Sequence, residues 1–187
     1  MPTMKVKGST LLGRRVMFAE RIGAATYDAF VDEFARTHPS FPQPILPSTL
    51  IPVTVFLQFN DDLVRRFFGG DTKIFWTIGE LSADYFSSQG PYVDSFYRGD
   101  YKRFWSILPM IWKTLYTEGE ARASASGNTL DIELDCPVAH AYFELSTIAF
   151  VRRGLEKKAG CKVEMRRISG FDHGGKIVHY QFVLPTS

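Results

Sequence analysis

The spacing of hydrophobic residues changes near residue 117, and this change constrains the fold more than any other feature. Before it, apolar residues recur at three- and four-residue steps, as in helices. Beyond it, alternate residues are apolar on both sides of Gly127-Asn128: Ala121, Ala123 and Ala125 before the pair, and Leu130, Ile132 and Leu134 after it. A two-residue turn at this pair predicts a hairpin with Ala125 opposite Leu130, Ala123 opposite Ile132, Ala121 opposite Leu134, and Arg122 opposite Glu133.

The rest of the C-terminal part continues this pattern. Pro137 after Cys136 predicts the first turn of a helix, and Gly160 predicts its end. Two strands are expected at 163–168 and 177–184, joined by a glycine-rich loop. The predicted class is therefore α+β: an N-terminal helical layer, then a β-β-α-β-β unit that forms a four-stranded antiparallel sheet. We expect one domain, helical over about 1–117 and sheet-bearing over about 118–187.

Three shorter predictions concern the N-terminal part. The chain is expected to start with a short extended segment and to enter a helix by about Leu11. A second helix is expected to be capped by Thr26 and to end at His38. A third amphipathic helix is expected from about Val53, closed by the glycine pair after Phe68.

The stretch 72–116 holds many of the aromatic residues and predicts two further helices. The first runs from a cap at Thr72 to a stop at Gly90, and the second starts at a cap at Asp100. The second is apolar over so much of its surface that we interpret it as the central helix of the fold. Pro109 predicts a kink within it.

Small residues beside that kink leave room for an internal pocket. The predicted ligand-binding residues come from both helices of this stretch: Phe75, Ile78, Gly79, Ser82, Phe86, Phe104, Leu108 and Trp112. An alternative is that a neighbouring helix packs tightly over the small residues, in which case no pocket exists. The sequence leaves both readings open.

Composition excludes several classes of function. A hydrophobic content of 45% indicates a globular protein, and a net charge of +2 with scattered basic doublets gives no reason to expect a nucleic-acid partner. No stretch has the length of a membrane span, and the N-terminus lacks the apolar run of a signal peptide. Two cysteines do not suggest a disulfide framework, so a cytoplasmic location is expected.

Catalytic and metal sites are weakly supported. Cys136 at a helix N-terminus would favour a thiolate, and His140, Cys161 and His173 could complete a zinc set, but their spacing matches no standard zinc motif. His179 and the Asp172-His173 pair could be an acid–base group, yet no recognised nucleophile motif accompanies them. We therefore predict neither an enzyme nor a bound metal.

Several dispersed segments resemble one known superfamily. They are Val6-Lys7-Gly8-Ser9, Ile45-Leu46-Pro47-Ser48 with Pro52 after it, Gly70-Asp71 before Ile78-Gly79-Glu80-Leu81-Ser82-Ala83, and the run Trp112…Tyr116…Gly119. Together they resemble bacterial proteins of the superfamily that joins vinyl-reductase-type domains, haem-nitric-oxide-binding (H-NOX) domains and TRAPP trafficking subunits. The resemblance covers nearly the whole chain. It implies a helical N-terminal part and a four-stranded antiparallel sheet crossed by a helix.

The resemblance also carries expectations about function. Members mostly bind small molecules or act as sensory and assembly modules. The haem branch needs a proximal histidine on a helix before the sheet and a Tyr-x-Ser-x-Arg motif in the sheet region. Here no histidine occurs between His38 and His140, and the corresponding segment reads Leu134-Asp135-Cys136-Pro137. No cofactor is therefore predicted, and haem is not expected. Vinyl-reductase-type members often carry cysteines near the C-terminal strands, where this chain has only Cys161.

Two functions from different classes follow. The first is a cytoplasmic, non-enzymatic sensory or regulatory domain that binds a small apolar molecule. The second is a structural module that forms a homodimer or docks a protein partner through exposed helices, without a ligand.

Overall fold

The computed structural model describes residues 3–88, 101–171 and 175–185. Two predicted helix boundaries, Gly90 and Asp100, lie outside these residues, as do Asp172 and His173. The chain forms two compact units: unit 1 comprises 1–74 and 114–118, and unit 2 comprises 75–113 and 119–187. The prediction of one domain stays a prediction.

Unit 1 combines a two-stranded sheet with four helices. In chain order its elements are β1 (Lys5–Lys7), α1 (Ser9–Leu12), α2 (Arg14–Ile22), α3 (Ala24–Thr37), β2 (Leu50–Pro52) and α4 (Val53–Phe68). The extended start, the helix by Leu11 and the helix from Val53 are confirmed. The cap at Thr26 is wrong, because α3 begins at Ala24 after Gly23, whose φ of 83° suits glycine. The antiparallel pairing of β1 with β2 was not expected, since each strand has only three residues.

Aromatic packing holds α3 and α4 together within unit 1. The rings of Phe30 and Phe59 lie 5.1 Å apart, and Phe34 meets Phe59 edge-on at 5.2 Å. Both Phe34 and Phe59 are buried. Phe41, from the proline-rich connector between α3 and β2 (residues 40–47), stacks on Phe59 at 5.1 Å. The connector, which contains a cis peptide bond at Gln43–Pro44, is thereby attached to the helical core.

Unit 2 contains the larger sheet and the remaining helices. Its elements are α5 (Ile74–Ser88, whose first residue belongs to unit 1), α6 (Tyr101–Ser106), α7 (Leu108–Leu115, whose last two residues belong to unit 1), β3 (Glu120–Ser126), β4 (Thr129–Asp135), α8 (Ala141–Ala159), β5 (Glu164–Ser169) and β6 (Ile177–Val183). The strand order is β3-β4-β6-β5, with every neighbouring pair antiparallel. The predicted α+β class and four-stranded sheet are confirmed.

The predicted hairpin is confirmed residue by residue. Ala121 pairs with Leu134, Ala123 with Ile132, Ala125 with Leu130 and Arg122 with Glu133. Leu130, Ile132 and Leu134 are fully buried, so the alternation marks the inner face of the sheet. All seven residues of β3 pair regularly with β4, whereas β5 carries a register shift between Arg167 and Ser169.

Three helix predictions require correction. The segment after Asp100 is not one kinked helix, since it breaks into α6 and α7 at Ile107, two residues before Pro109, because proline donates no backbone hydrogen bond. It is not the central helix either: α8 takes that place in unit 2, with eleven of its nineteen residues buried. Pro137 does not open α8, which begins at Ala141 with His140 as its N-cap.

None of the helices within residues 3–88, 101–171 and 175–185 combines the length and apolar character needed to cross a membrane.

Candidate functional site

Helix α8 is the element around which the predicted ligand-binding residues assemble. His140 caps it, with the ring Nδ1 accepting a hydrogen bond from the backbone N–H of Tyr142 at 3.0 Å. Gly160 ends it in the left-handed region at φ 70°, preceded by Lys157 and Lys158 in the last turn. Because the helix is buried over much of its length, residues of α5, α6 and α7 can pack against it.

Gly79 of α5 lies directly against the backbone of α8. A β-carbon at this position would fall far inside van der Waals contact with the carbonyl oxygen of Ser146, and 2.7 Å from the Cβ of Ala149. The glycine is therefore needed for the close approach of the two helices. The space beside Gly79 is occupied by a neighbouring helix, which was the alternative that the sequence left open.

Phe104 of α6 meets α8 in a similar way. Its ring lies over Gly154, where a β-carbon would be 2.6 Å from the ring Cε2 atom. The same ring is stacked on Phe150 with centroids 6.4 Å apart, and Phe104 is 3% exposed. Phe104 thus fills the space that the second glycine leaves.

Three more of the predicted residues contact α8 through their rings. Phe75 meets Tyr142 edge-on at 5.6 Å, Phe86 meets Phe150 at 6.0 Å, and Trp112 lies 6.2 Å from Phe143. Ile78 and Leu108 are buried on α5 and α7, and the Ser82 hydroxyl donates to the Ile78 carbonyl at 2.7 Å. The structure therefore brings Phe75, Gly79, Phe86, Phe104 and Trp112 together on α8. Their role in binding a ligand stays a prediction.

A buried carboxylate that the sequence analysis missed lies on the same helix. Glu144 is 4% exposed, and its Oε1 accepts hydrogen bonds from Arg167 Nε at 2.6 Å and from the Tyr180 hydroxyl at 2.8 Å. Its Oε2 accepts the backbone N–H of Phe171 at 2.9 Å. Burial, followed by the neighbouring Glu144, raises the pKa of Tyr180. The sequence signal that could have revealed this buried carboxylate is a glutamate among the aromatic residues of a predicted helix.

The predicted thiol and histidine candidates that the structure describes, Cys136, His140, Cys161 and His179, form no metal-binding group of three. Cys136 is buried, and burial raises its pKa to about 11, the opposite of the expected thiolate. Cys161 is exposed. His179 pairs with Asp131 at 2.8 Å between β6 and β4. Within the described ranges no group of three His, Cys, Asp or Glu residues is placed to hold a metal ion.

A second candidate site lies in unit 1, where a cleft of about 290 Å³ opens beside α3. Its lining comes from α1, α2, α3, the connector and α4: Leu11, Leu12, Arg15, Tyr27, Asp28, Val31, Asp32, Gln43, Ile45 and Phe59. Leu11, Tyr27 and Phe59 form a buried apolar floor. Arg15 Nε bonds both carboxylate oxygens of Asp28, at 2.8 and 2.9 Å. Burial raises the pKa of Tyr27 to about 12, so its hydroxyl is neutral at physiological pH.

Helix α7 directly precedes β3 in the chain, and the resemblance implies a proximal haem ligand on a helix before the sheet. Haem iron is held by His, Cys, Met or Tyr. Helix α7 has the sequence LPMIWKTL, and Met110 is the one such residue in it. Met110 is 49% exposed, while Leu108, Ile111 and Trp112 form the buried side. The residues present therefore do not fit an axial haem ligand on this helix.

Comparison with solved structures identifies the fold. An H-NOX protein from S. oneidensis in the Fe(II)NO ligation state superposes with a TM-score of 0.74, over 96% of this chain and 99% of that one, at 11% identity. An H-NOX mutant from K. algicida superposes with a TM-score of 0.68 over 97% of both chains, at 12% identity. A structure that concerns haem redox potential and porphyrin distortion superposes with a TM-score of 0.64, over 95% of this chain and 99% of that one, at 13% identity. A scan of protein-family models and a search of curated proteins found no match. The resemblance to H-NOX proteins is confirmed at the level of fold: this chain has the fold of H-NOX proteins.

Proposed function

We propose that this chain is a non-enzymatic sensory domain that binds a small apolar molecule in the cytoplasm. The observation that supports it most is the likeness to H-NOX proteins, which for the S. oneidensis protein in its Fe(II)NO state extends over 96% of this chain and 99% of that one. A fold alone does not fix a function, so the residues must carry the rest.

The proposed ligand contacts are Phe75, Ile78, Gly79, Ser82, Phe86, Phe104, Leu108 and Trp112. Aromatic rings that meet edge-on or stacked around α8 provide an apolar lining. Because Phe104 and the backbone of α8 already occupy the space beside the two glycines, a ligand has to displace a ring on entering. Phe86, which is only half-buried, is the ring we expect to move.

The ligand proposed here is an organic molecule and not haem. The sequence has no histidine between His38 and His140, and the one methionine of α7 is half exposed. Reconstitution with haem followed by desalting tests this point. We expect no sharp Soret band after the column, and a stoichiometric band that survives desalting would overturn the exclusion.

Native mass spectrometry and thermal shift test the ligand. We expect either a bound mass after gentle purification or a shift with members of a panel of lipids and aromatic compounds. Trp112→Leu should abolish the shift, whereas Met110→Leu, an exposed change on the same helix, should keep it. A clean apo mass with no shift across the panel would count against the proposal.

A structural module that dimerises or docks a partner is the second candidate. Two observations favour it. The glycine at position 79 serves close helix packing. Strand β3, in which five of seven residues are alanine or serine, is a regular edge strand that within the described residues is paired on one side only, by β4. Such an edge is a template for pairing with another chain. Analytical ultracentrifugation separates the candidates, since a strict monomer at high concentration would weaken this one.

A further inference from the structure

We propose that the cleft beside α3 in unit 1 is a binding site for a small aromatic amine. The site goes beyond the proposed function, because it uses none of the residues around α8. It is built from residues of unit 1 alone.

The floor of the cleft is suited to an apolar ring. Leu11, Tyr27 and Phe59 are 4%, 4% and 0% exposed, and Val31 and Ile45 are half-buried on the walls. A volume of about 290 Å³ lies near the lower end of small-molecule sites, which span roughly 300–1,000 Å³. A ligand with one fused ring system and a short side chain has a size that fits this volume.

The rim selects the charge of the ligand. It carries two carboxylates, Asp28 and Asp32, against one guanidinium, Arg15. Arg15 bonds both oxygens of Asp28, which leaves the Asp32 carboxylate without a basic partner among residues 3–88, 101–171 and 175–185. The net charge of the lining is therefore negative, and a protonated amine is the matching head group.

Tyr27 adds one polar group to this otherwise apolar floor. The residue is 96% buried and lines the cleft. A neutral phenol hydroxyl can both donate and accept a hydrogen bond, so it is compatible with the polar head group of an aromatic amine.

The test compares three ligands with one ring system and three head groups: tryptamine, tryptophol and indole-3-acetate. Isothermal titration should give tryptamine an affinity at least about tenfold above that of tryptophol, a difference of about 1.4 kcal/mol. Indole-3-acetate should bind more weakly than tryptophol. Equal binding of all three, or no binding of tryptamine at millimolar concentration, would overturn the proposal.

Two variants locate the effect. Asp32→Asn, an exposed change on α3, should reduce tryptamine to the affinity of tryptophol, while Glu20→Gln, an exposed carboxylate on α2 outside the cleft, should leave the preference intact. Amide chemical-shift changes on adding tryptamine should centre on the lining residues. A preference that survives Asp32→Asn, or shifts centred on α8, would contradict this site. Binding of apolar compounds around α8 would bear on the proposed function and not on this cleft.

Discussion

The surroundings of Gly79 and of Tyr27 represent two ways of arranging apolar residues. Around Gly79 the backbone of Ser146 and the Cβ of Ala149 occupy the space that the small residue leaves. Around Tyr27 the walls stay apart, and charged groups stand at the opening. In the sequence, both regions are rich in aromatic and apolar residues. Small residues in a helix therefore indicate close approach of another group and not by themselves a cavity.

The contrast predicts a large loss of stability when side-chain volume is added at Gly79 and almost none when it is added at the cleft wall. Gly79→Leu should destabilise the protein by about 3 kcal/mol or more, because its β-carbon already overlaps the α8 backbone, which cannot move like a side chain. Val31→Leu, which adds one methylene on the open cleft wall, should change stability by less than about 0.5 kcal/mol. Chemical denaturation of both variants measures this. Equal stability of Gly79→Leu and the parent would show that α5 and α8 are not in close contact.

Gly79→Ala tests the same close contact between α5 and α8 with a smaller side chain. Alanine gains about 0.5–1 kcal/mol of helix propensity over glycine. The β-carbon overlap with Ser146 should outweigh that gain and give a net loss. A net increase in stability would contradict the packing described here.

A double-mutant cycle sharpens the description of the second glycine. Gly154→Ala should cost about 1–3 kcal/mol, since its β-carbon meets the ring of Phe104. In a Phe104→Leu background the same change should cost at least about 0.5 kcal/mol less, because the smaller side chain leaves room. Denaturation midpoints of the four proteins give the coupling energy, and strict additivity would mean that the ring does not fill this space.

The smallest effect concerns pH and belongs to the cleft. The pKa of Tyr27 is raised to about 12 by burial, so folding keeps the phenol neutral where the unfolded chain ionises, near pH 10. The free energy of unfolding therefore does not depend on this phenol below about pH 10, and it falls as pH rises from about 10 towards 12. At about pH 11 the loss of stability is about 1.4 kcal/mol. Tyr27→Phe should flatten stability between about pH 9 and 11; an unchanged slope would show that the phenol is not buried.

The sequence specified local features well and tertiary ones poorly. The hairpin register followed from alternation on two adjacent segments, where Ala123 and Ile132 are separated by one turn. The helix from Val53 followed from its own periodicity and from Gly69, which adopts φ 61°. Each of these depends on residues close together in the chain, so one short window contains the needed information.

The candidate sites depended on contacts between distant segments. Five of the eight predicted residues do meet on one helix, but it is α8 and not the segment after Asp100, because the effect of Pro109 was underestimated. The partner of Gly79 could not be read from the sequence, since Ser146 lies far along the chain. The cleft was missed because its walls come from five separate segments.

The hydrogen bonds of Glu144 have a consequence for which substitutions the junction of α8 and the sheet can accept. Losing Arg167 or the Tyr180 hydroxyl removes one donor and leaves the carboxylate its other bonds. Losing the carboxylate instead removes the acceptor from all three donors at once, one of them a backbone N–H that every residue type except proline provides. Tolerance at this junction is therefore unequal. Losing the Tyr180 hydroxyl removes one bond, losing Arg167 leaves a buried carboxylate without its ion-pair partner, and losing the carboxylate leaves three donors without their acceptor.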